Sequence, residues 1–363
     1  MVKLAIIPLL LLASLALAAD WPVFRGDPAL QGRVPGRVSV PLRRTWRTST
    51  GKGSCTSPVI ADGKVFVAND QGSLHCLDLA TGRTLWAAKL GAPTEAPPMA
   101  HGGRVYIGTD NGGFFAFDAT TGRKAWSFKA EDQIKGSANA VMAGDTPAVV
   151  VGSYDMFLYC LAADSGKLLW KLETENYVNG TPSVVGDRVA FGGCDGQFRQ
   201  IRASDGKQLK TIDASSYIPG SAAIADGSAY FGQVEGQVRR LDLKTDKIVW
   251  TNEDARDGIF APPALTKDLV LAASRDGRLY ALDTATGKRK WQFRTGNAIE
   301  GGAIVDEKHA VFGSTDGRLY IVALATGKQV WSYDLGSAIS TSPAFSNGWL
   351  VVCTDDGAVQ AFR

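Results

Sequence analysis

The sequence predicts an all-β protein: an eight-bladed β-propeller of four-stranded antiparallel blades, closed by pairing an N-terminal tryptophan strand with the last blade. Three observations predict it. Tryptophan recurs at a nearly fixed period, each period contains four short apolar runs, and an orphan strand at the N-terminal end of the repeat matches a last blade that is one strand short.

The period is marked by Trp46, Trp86, Trp126, Trp170, Trp250, Trp291 and Trp331, with Lys210 in the equivalent place between Trp170 and Trp250. Successive gaps are 40, 40, 44, 40, 40, 41 and 40 residues, and a repeat of this length signals a solenoid, propeller or array. The internal pattern decides among them. In the seventh unit the apolar runs are "GAIV", "AVFGS", "LYIVAL" and "QVWSYDL". Such runs, rich in β-branched and aromatic residues, are too short for helices and read as strands.

Turn chemistry separates the runs. Between the second and third stands Asp-Gly, as in Asp195-Gly196, Asp276-Gly277, Asp316-Gly317 and Asp356-Gly357. This pair is expected to make a two-residue hairpin with positive φ at both positions. Between the third and fourth stands "TGK" or "TGR". Each unit is therefore a four-stranded meander, one propeller blade. Small residues start eight inner strands, from Ser57-Pro58 to Ser342-Pro343. The eighth unit, "TDDGAVQAFR", stops at Arg363 with three strands, while "LRRTW" ending at Trp46 is a tryptophan strand with no blade before it. Pairing the two closes the ring and removes an open edge.

The expected organisation is a signal peptide over 1–18, a lead-in segment over 19–42 and a single propeller domain over 43–363. Lys3, the apolar stretch Leu4 to Leu15 and the small-x-small site Ala16-Leu17-Ala18 match a cleaved secretory signal. That stretch is shorter than the ~20 apolar residues of a spanning helix. No transmembrane segment is expected in the mature chain, and no cysteine follows the apolar stretch to take a lipid. The implied localisation is periplasmic or extracellular. A net charge of +3 with both signs interspersed gives no basic stripe, so no nucleic-acid partner is expected. Cys55, Cys76, Cys160, Cys194 and Cys353 show no metal-ligand spacing. Cys76 and Cys160 share one register and read as small apolar filler, and the other three leave a disulfide open.

The seven tryptophans read as structural, each filling the wedge between neighbouring blades with its N–H finding a partner. The Asp of "LD..TG" reads as the acceptor of a local turn rather than as a metal ligand. Lys210 leaves one wedge without its ring, which predicts a weak joint after blade four.

The unit "DGxLYALDxxTGKxxW" and the lead-in "WPVFRGDPALQG" (residues 21–32) resemble the tryptophan-docking repeat of the pyrroloquinoline-quinone (PQQ) type, in the quinoprotein alcohol dehydrogenase-like superfamily. The resemblance covers nearly all of the expected mature chain and implies the propeller fold; function differs among its branches. The quinoprotein dehydrogenases imply PQQ and calcium at the ring centre, with an adjacent Cys-Cys disulfide and a clustered Glu, Asn and Asp. This chain has no adjacent cysteines. The chain is similar in length and blade count to the periplasmic scaffold lipoprotein of the outer-membrane β-barrel assembly machinery, from which it departs in lacking the lipidation cysteine.

Candidate site residues come from where the repeats differ. Aligning the residue before each inner strand gives a ring of Cys55, Glu95, Lys135, Asn179, Pro219, Phe260, Glu300 and Ser340. Of these, Glu95, Lys135, Asn179, Phe260 and Glu300 are expected at the channel rim. Glu95, Asn179 and Glu300 are too dispersed to converge on a metal, which needs several oxygens at ~2.3–2.6 Å; Glu95 and Lys135 are expected to pair. Blades three to five place Tyr154, Asn176, Tyr177, Asn179, Cys194, Asp195 and Tyr217 on one face, the mixture of rigid aromatics and adaptable amides that recognition surfaces use. From these, Tyr154, Asn176, Tyr177, Asn179, Asp195 and Tyr217 are the expected partner-binding set. Catalytic residues, a metal and a cofactor are not expected. The expectation is a monomeric, non-catalytic binding or scaffold protein for proteins of the cell envelope. The alternative is a PQQ-dependent dehydrogenase.

Overall fold

A computed structural model describes residues 20–34 and 36–363. The expected signal peptide lies outside these residues. Among those described, 32 strands form eight four-stranded antiparallel sheets, arranged as the blades of a propeller. No described helix is long and apolar enough to cross a membrane.

Blade one shows the plan. Strand Val59–Ala61 lies innermost, followed outward by Lys64–Asn69, Ser73–Asp78 and Thr84–Lys89. The two middle strands are buried and the outer strand alternates, as expected for a sheet stacked between neighbours with one edge in solvent. The tryptophan sits on that outer strand beside a β-bulge, for example where Cys76 pairs with Trp86 and Leu77 with Thr84. The bulge adds twist and turns the indole toward the next blade. Trp46, Trp86, Trp126, Trp170, Trp250 and Trp291 then donate their indole N–H to the carbonyls of Leu79, Ala119, Ala163, Ala203, Thr284 and Leu324, at 2.6–3.2 Å. Each of these rings lies on the glycine of the next blade's turn between its third and fourth strands, Gly82, Gly122, Gly166, Gly206, Gly287 and Gly327. A Cβ on Gly122 would come within 2.6 Å of Trp86, and Gly122 has a φ of +70°, so glycine is required there for space as well as for its backbone conformation. Trp331 differs because blade eight takes its outer strand from the other end of the chain and has no such turn. Its ring packs on Tyr333 and edge-on to Phe362.

Turn geometry departs from expectation. Positive φ at two successive positions occurs in the first hairpin of a blade, at Asp62-Gly63, Asp226-Gly227 and Asn347-Gly348. In the Asp-Gly turns between the second and third strands only the glycine has positive φ. There the aspartate acts through its side chain: Asp195, Asp276 and Asp316 each accept the N–H two residues on, at 2.9–3.0 Å, as does Asp155 at 3.1 Å, where Met156 takes the glycine's place at φ +71°. An Asx turn does the work assigned to a two-residue hairpin.

The ring closes as expected. Strand Arg44–Ser49 is the outer strand of blade eight, paired antiparallel with Ala358–Phe362.

The lead-in segment caps one mouth of the channel, on the side of the first hairpins. Trp21 exchanges two backbone hydrogen bonds with Ile60 of blade one. Backbone carbonyls of Pro22, Pro28, Ala29, Gln31 and Gly32 then accept the N–H groups of Ala100, Val184, Ile224, Leu265 and Val305 in blades two, four, five, six and seven. Asn139 of blade three donates its side-chain amide to Pro28. One turn of chain thus satisfies the innermost strands' free backbone groups, blade by blade. Phe24 and Arg25 project into the channel. Arg25 is fully buried and donates to the Ala303 carbonyl, and burial lowers its pKa to about 9 against the opposing pull of Asp27.

Candidate functional site

At the other mouth, the connections from outer to inner strands and the Asp-Gly turns surround a funnel of about 330 Å³ whose floor is Phe24. Backbones approach closely around its wall. A Cβ on Gly220 would lie 2.0 Å from the Phe260 carbonyl, and one on Gly301 would lie 2.1 Å from that of Thr341. Hydroxyls stitch neighbouring blades together here. Ser137 N–H donates to Thr181 Oγ1, Thr181 N–H to Ser221 Oγ, Gly302 N–H to Ser342 Oγ and Ser342 N–H to Ser57 Oγ, at 2.7–3.0 Å. The rim is therefore built on rigid backbone.

The five rim residues all line this funnel and fall into two sectors. In the first, Lys135 Nζ lies 3.1 Å from Glu95 Oε2 and 5.9 Å from the centre of the Tyr154 ring. Tyr154 donates its hydroxyl to Asn179 Oδ1 at 3.0 Å, and Asn179 Nδ2 donates to the Pro219 carbonyl at 2.6 Å. Burial, aided by neighbouring negative charge, pushes the Tyr154 phenol up to about 12. Asp110 stands behind the Glu95–Lys135 pair, its pKa raised by burial, with Lys135 opposing and Glu95 adding. In the second sector Arg275 stacks on Phe260, 3.6 Å from the ring centre, and donates to Glu300 Oε2 at 2.9 Å. Both rim carboxylates are thus paired with cations.

The expected partner-binding residues divide. Tyr154 and Tyr177 stack with centroids 4.6 Å apart and planes at 6°. Tyr154 is the half-buried backing plate, and Tyr177, 43% exposed, presents the outer face. Tyr217, 53% exposed, stands on the next connection. Asn176 is committed locally: its Oδ1 accepts the Tyr177 N–H and its Nδ2 donates to the Cys194 carbonyl. Asp195 is not a surface residue. Its carboxylate pairs with Arg199 Nη2 at 2.7 Å, with side chains 4% and 5% exposed respectively. Arg199 occupies the place held by Tyr159, Tyr280 and Tyr320, whose hydroxyls donate to Asp155, Asp276 and Asp316.

The floor residue Phe24 and the glycines Gly136, Gly180, Gly220 and Gly301 were not singled out by sequence reasoning. The glycines carry a signal: each precedes the Ser, Thr or Gly that opens an inner strand. Phe24 carries none, because nothing periodic places the lead-in segment. Among the described residues, no group of three or more His, Cys, Asp or Glu side chains is placed to hold a metal ion.

A family model described as outer membrane protein assembly factor BamB matches residues 32–152, 134–216, 210–303 and 276–363. No curated protein matches the chain. Among solved structures, BamB from Moraxella catarrhalis is 20% identical with a TM-score of 0.74, over 89% of this chain and 97% of that one. The quinohemoprotein alcohol dehydrogenase of Comamonas testosteroni is 14% identical with a TM-score of 0.79, over 95% and 80%. A europium-containing methanol dehydrogenase is 13% identical with a TM-score of 0.78, over 95% and 98%. At these identities the likeness to solved structures is one of fold.

Proposed function

Since the chain belongs to the family of the outer membrane protein assembly factor BamB, we propose that it is a non-catalytic scaffold that binds protein partners of the cell envelope on the funnel face, outside the cytoplasm. The observation that carries this reading is the stacked Tyr154–Tyr177 pair, fixed by Asn179 on a rim of interlocked backbone. An aromatic already held in place loses little freedom on association, and aromatic anchors dominate protein interfaces. Tyr177 presents such an anchor, and Tyr217 stands exposed beside it on the next connection. Action in outer-membrane protein assembly is the specific role we infer from the family.

The test is affinity capture from an envelope fraction with wild type, a Tyr177→Ala/Tyr217→Ala variant, and a control changed at Ser337 on blade eight. Each tyrosine contributes about 1–3 kcal/mol of binding as an anchor. The double variant should lose the captured protein while keeping its melting temperature, and the control should retain it. Retention of every partner by the double variant places the binding face elsewhere.

The donor set does not fit PQQ with calcium. Glu95 and Glu300 stand in different sectors of the rim, each bound to its own cation, and no two cysteines are adjacent. Incubation with PQQ and Ca²⁺ followed by dye-linked alcohol oxidation should give no turnover. Stoichiometric uptake with turnover would reverse this reading.

A further inference from the structure

Two thiols meet at the seam where the ring closes. Cys55 lies just ahead of the first strand of blade one and bridges to Asn69. Cys353 ends the strand Trp349–Cys353 of blade eight. Both are buried in one apolar cluster that spans the seam. The backbone on either side is pinned. Thr50 places its hydroxyl 3.2 Å from Cys55 Sγ and 3.0 Å from the Gly357 carbonyl of blade eight. Ser342 of blade eight donates its N–H to Ser57 Oγ of blade one at 3.0 Å. The two thiols lie on either side of this seam within that one cluster, Cys55 6% and Cys353 0% exposed. Interaction with Cys353 draws Cys55 below the usual thiol value, and burial drives Cys353 well above it.

The other cysteines stand apart. Cys76 and Cys160 lie in separate wedges opposite Trp86 and Trp170, where burial pushes each thiol up to about 12. Cys194 is half-buried on the funnel face.

We propose that Cys55 and Cys353 form a disulfide that staples blade one to blade eight when the protein is exposed to a disulfide-bearing oxidant. The Cys55 thiolate attacks one sulfur of the oxidant and expels the other as a thiol, leaving a mixed disulfide. Cys353 gives up its proton and attacks the Cys55 sulfur, which expels the oxidant's second thiol. The two cysteines together lose two protons and two electrons, and the oxidant's disulfide becomes two thiols. Cys55 is the less buried of the two thiols and, being the one the oxidant can reach, is the attacking partner. Cys353 is shielded in the closed ring, so the exchange proceeds before the seam shuts or when it opens. The cross-link spans nearly the whole propeller, the arrangement in which a disulfide most restricts the unfolded chain. It reinforces the joint between blades eight and one, which is otherwise held by the shared apolar cluster and by the strand Arg44–Ser49.

The test equilibrates the full chain with oxidised or with reduced glutathione, followed by alkylation under denaturing conditions and mass mapping of an unreduced digest. After oxidised glutathione, a Cys55–Cys353 linked peptide is expected, with Cys76, Cys160 and Cys194 alkylated. Reduction should lower the melting temperature on the order of 5–10 °C. Cys55→Ser should abolish that redox dependence and Cys194→Ser should preserve it. Mapping of the wild type needs no variant, so a Cys55→Ser protein that fails to fold leaves the test intact. Full alkylation of Cys55 and Cys353 after oxidised glutathione, or a link from either to another cysteine, overturns the proposal.

Discussion

Lys210 Nζ lies 2.5 Å from Asp246 Oδ2 across the joint between blades four and five. Position 210 is where other outer strands carry tryptophan, and position 246 is where other turns carry the glycine beneath that ring. The two departures are one exchange: a Trp–Gly contact has become a Lys–Asp pair. Gln200, across the strand from Lys210, completes the substitution by donating to the Leu243 carbonyl at 3.4 Å, the place an indole N–H would reach. The joint is therefore differently filled rather than left open by the missing ring.

Lys210→Trp by itself should destabilise, because the Asp246 Cβ stands where an indole must lie; the equivalent glycines have room for no more than hydrogen within about 2.5–2.6 Å of the ring. Asp246→Gly alone loses a half-exposed ion pair of about 0–1 kcal/mol but relieves a non-glycine residue at φ +59°. The double change should exceed the wild type in stability, with a coupling of at least about 1 kcal/mol. Urea midpoints for the four proteins give the cycle. Additivity of the two changes would show that the pair is coincidental.

Arg199→Ala should cost about 3–5 kcal/mol, because it leaves the Asp195 carboxylate buried without its cation. Arg199→Tyr restores the partner used in three other blades, at 2.6–2.7 Å, and should cost no more than about 1.5 kcal/mol. Equal losses for the two variants would mean that packing, not charge, holds this turn.

Most of the fold was legible because a propeller repeats its instructions: the tryptophans, the Asp-Gly turns and the unmatched end strand each recur or fail to recur at a countable place. The rim was legible by register alone, and the Glu95–Lys135 pair followed from adjacency. Asp195 was misplaced because an Asp-Gly turn reads as solvent-facing, whereas Arg199, four residues on, turns that carboxylate inward. The tyrosine stack was hidden for another reason. Tyr154 and Tyr177 lie on different loops, and only the path of the connection brings their rings together. The lead-in segment was illegible in detail because it pairs through its backbone, which carries no side-chain pattern.

Acid should weaken the turns between third and fourth strands. Asp78 and Asp118 accept chiefly from the hydroxyls of Thr81 and Thr121, Asp242 from the N–H of Thr245, and Asp283 from Lys290 and then Thr286; in each case this lowers the carboxyl pKa, to about 2 for Asp283. A carboxyl with a lower pKa when folded stabilises fully above its unfolded value and loses that contribution as pH falls through the folded one. The melting temperature should hold at pH 5 and fall between about pH 4 and 2. Asp283→Asn should lower it at pH 5 and flatten the acid limb. An unchanged limb would assign the acid loss to other groups.

Closure should depend on the strand Arg44–Ser49. It pairs with Ala358–Phe362, the preceding Arg43 exchanges two backbone hydrogen bonds with Arg363 at 3.0 Å each, and its Trp46 reaches on to Leu79 of blade one at 2.9 Å. One strand thus completes blade eight and locks it to its neighbour. Without it, Ala358–Phe362, buried along its whole length, becomes an open apolar edge of the kind that recruits other chains. Two truncations separate this role from that of the lead-in segment. Removing residues through 34 strips the hydrogen bonds around one channel mouth but leaves the ring shut, and that protein should stay monomeric with a lowered melting temperature. Removing residues through 49 opens the ring and should give oligomers on size-exclusion chromatography. If the longer truncation remains a monomer as stable as the shorter one, the pairing of the two chain ends is dispensable.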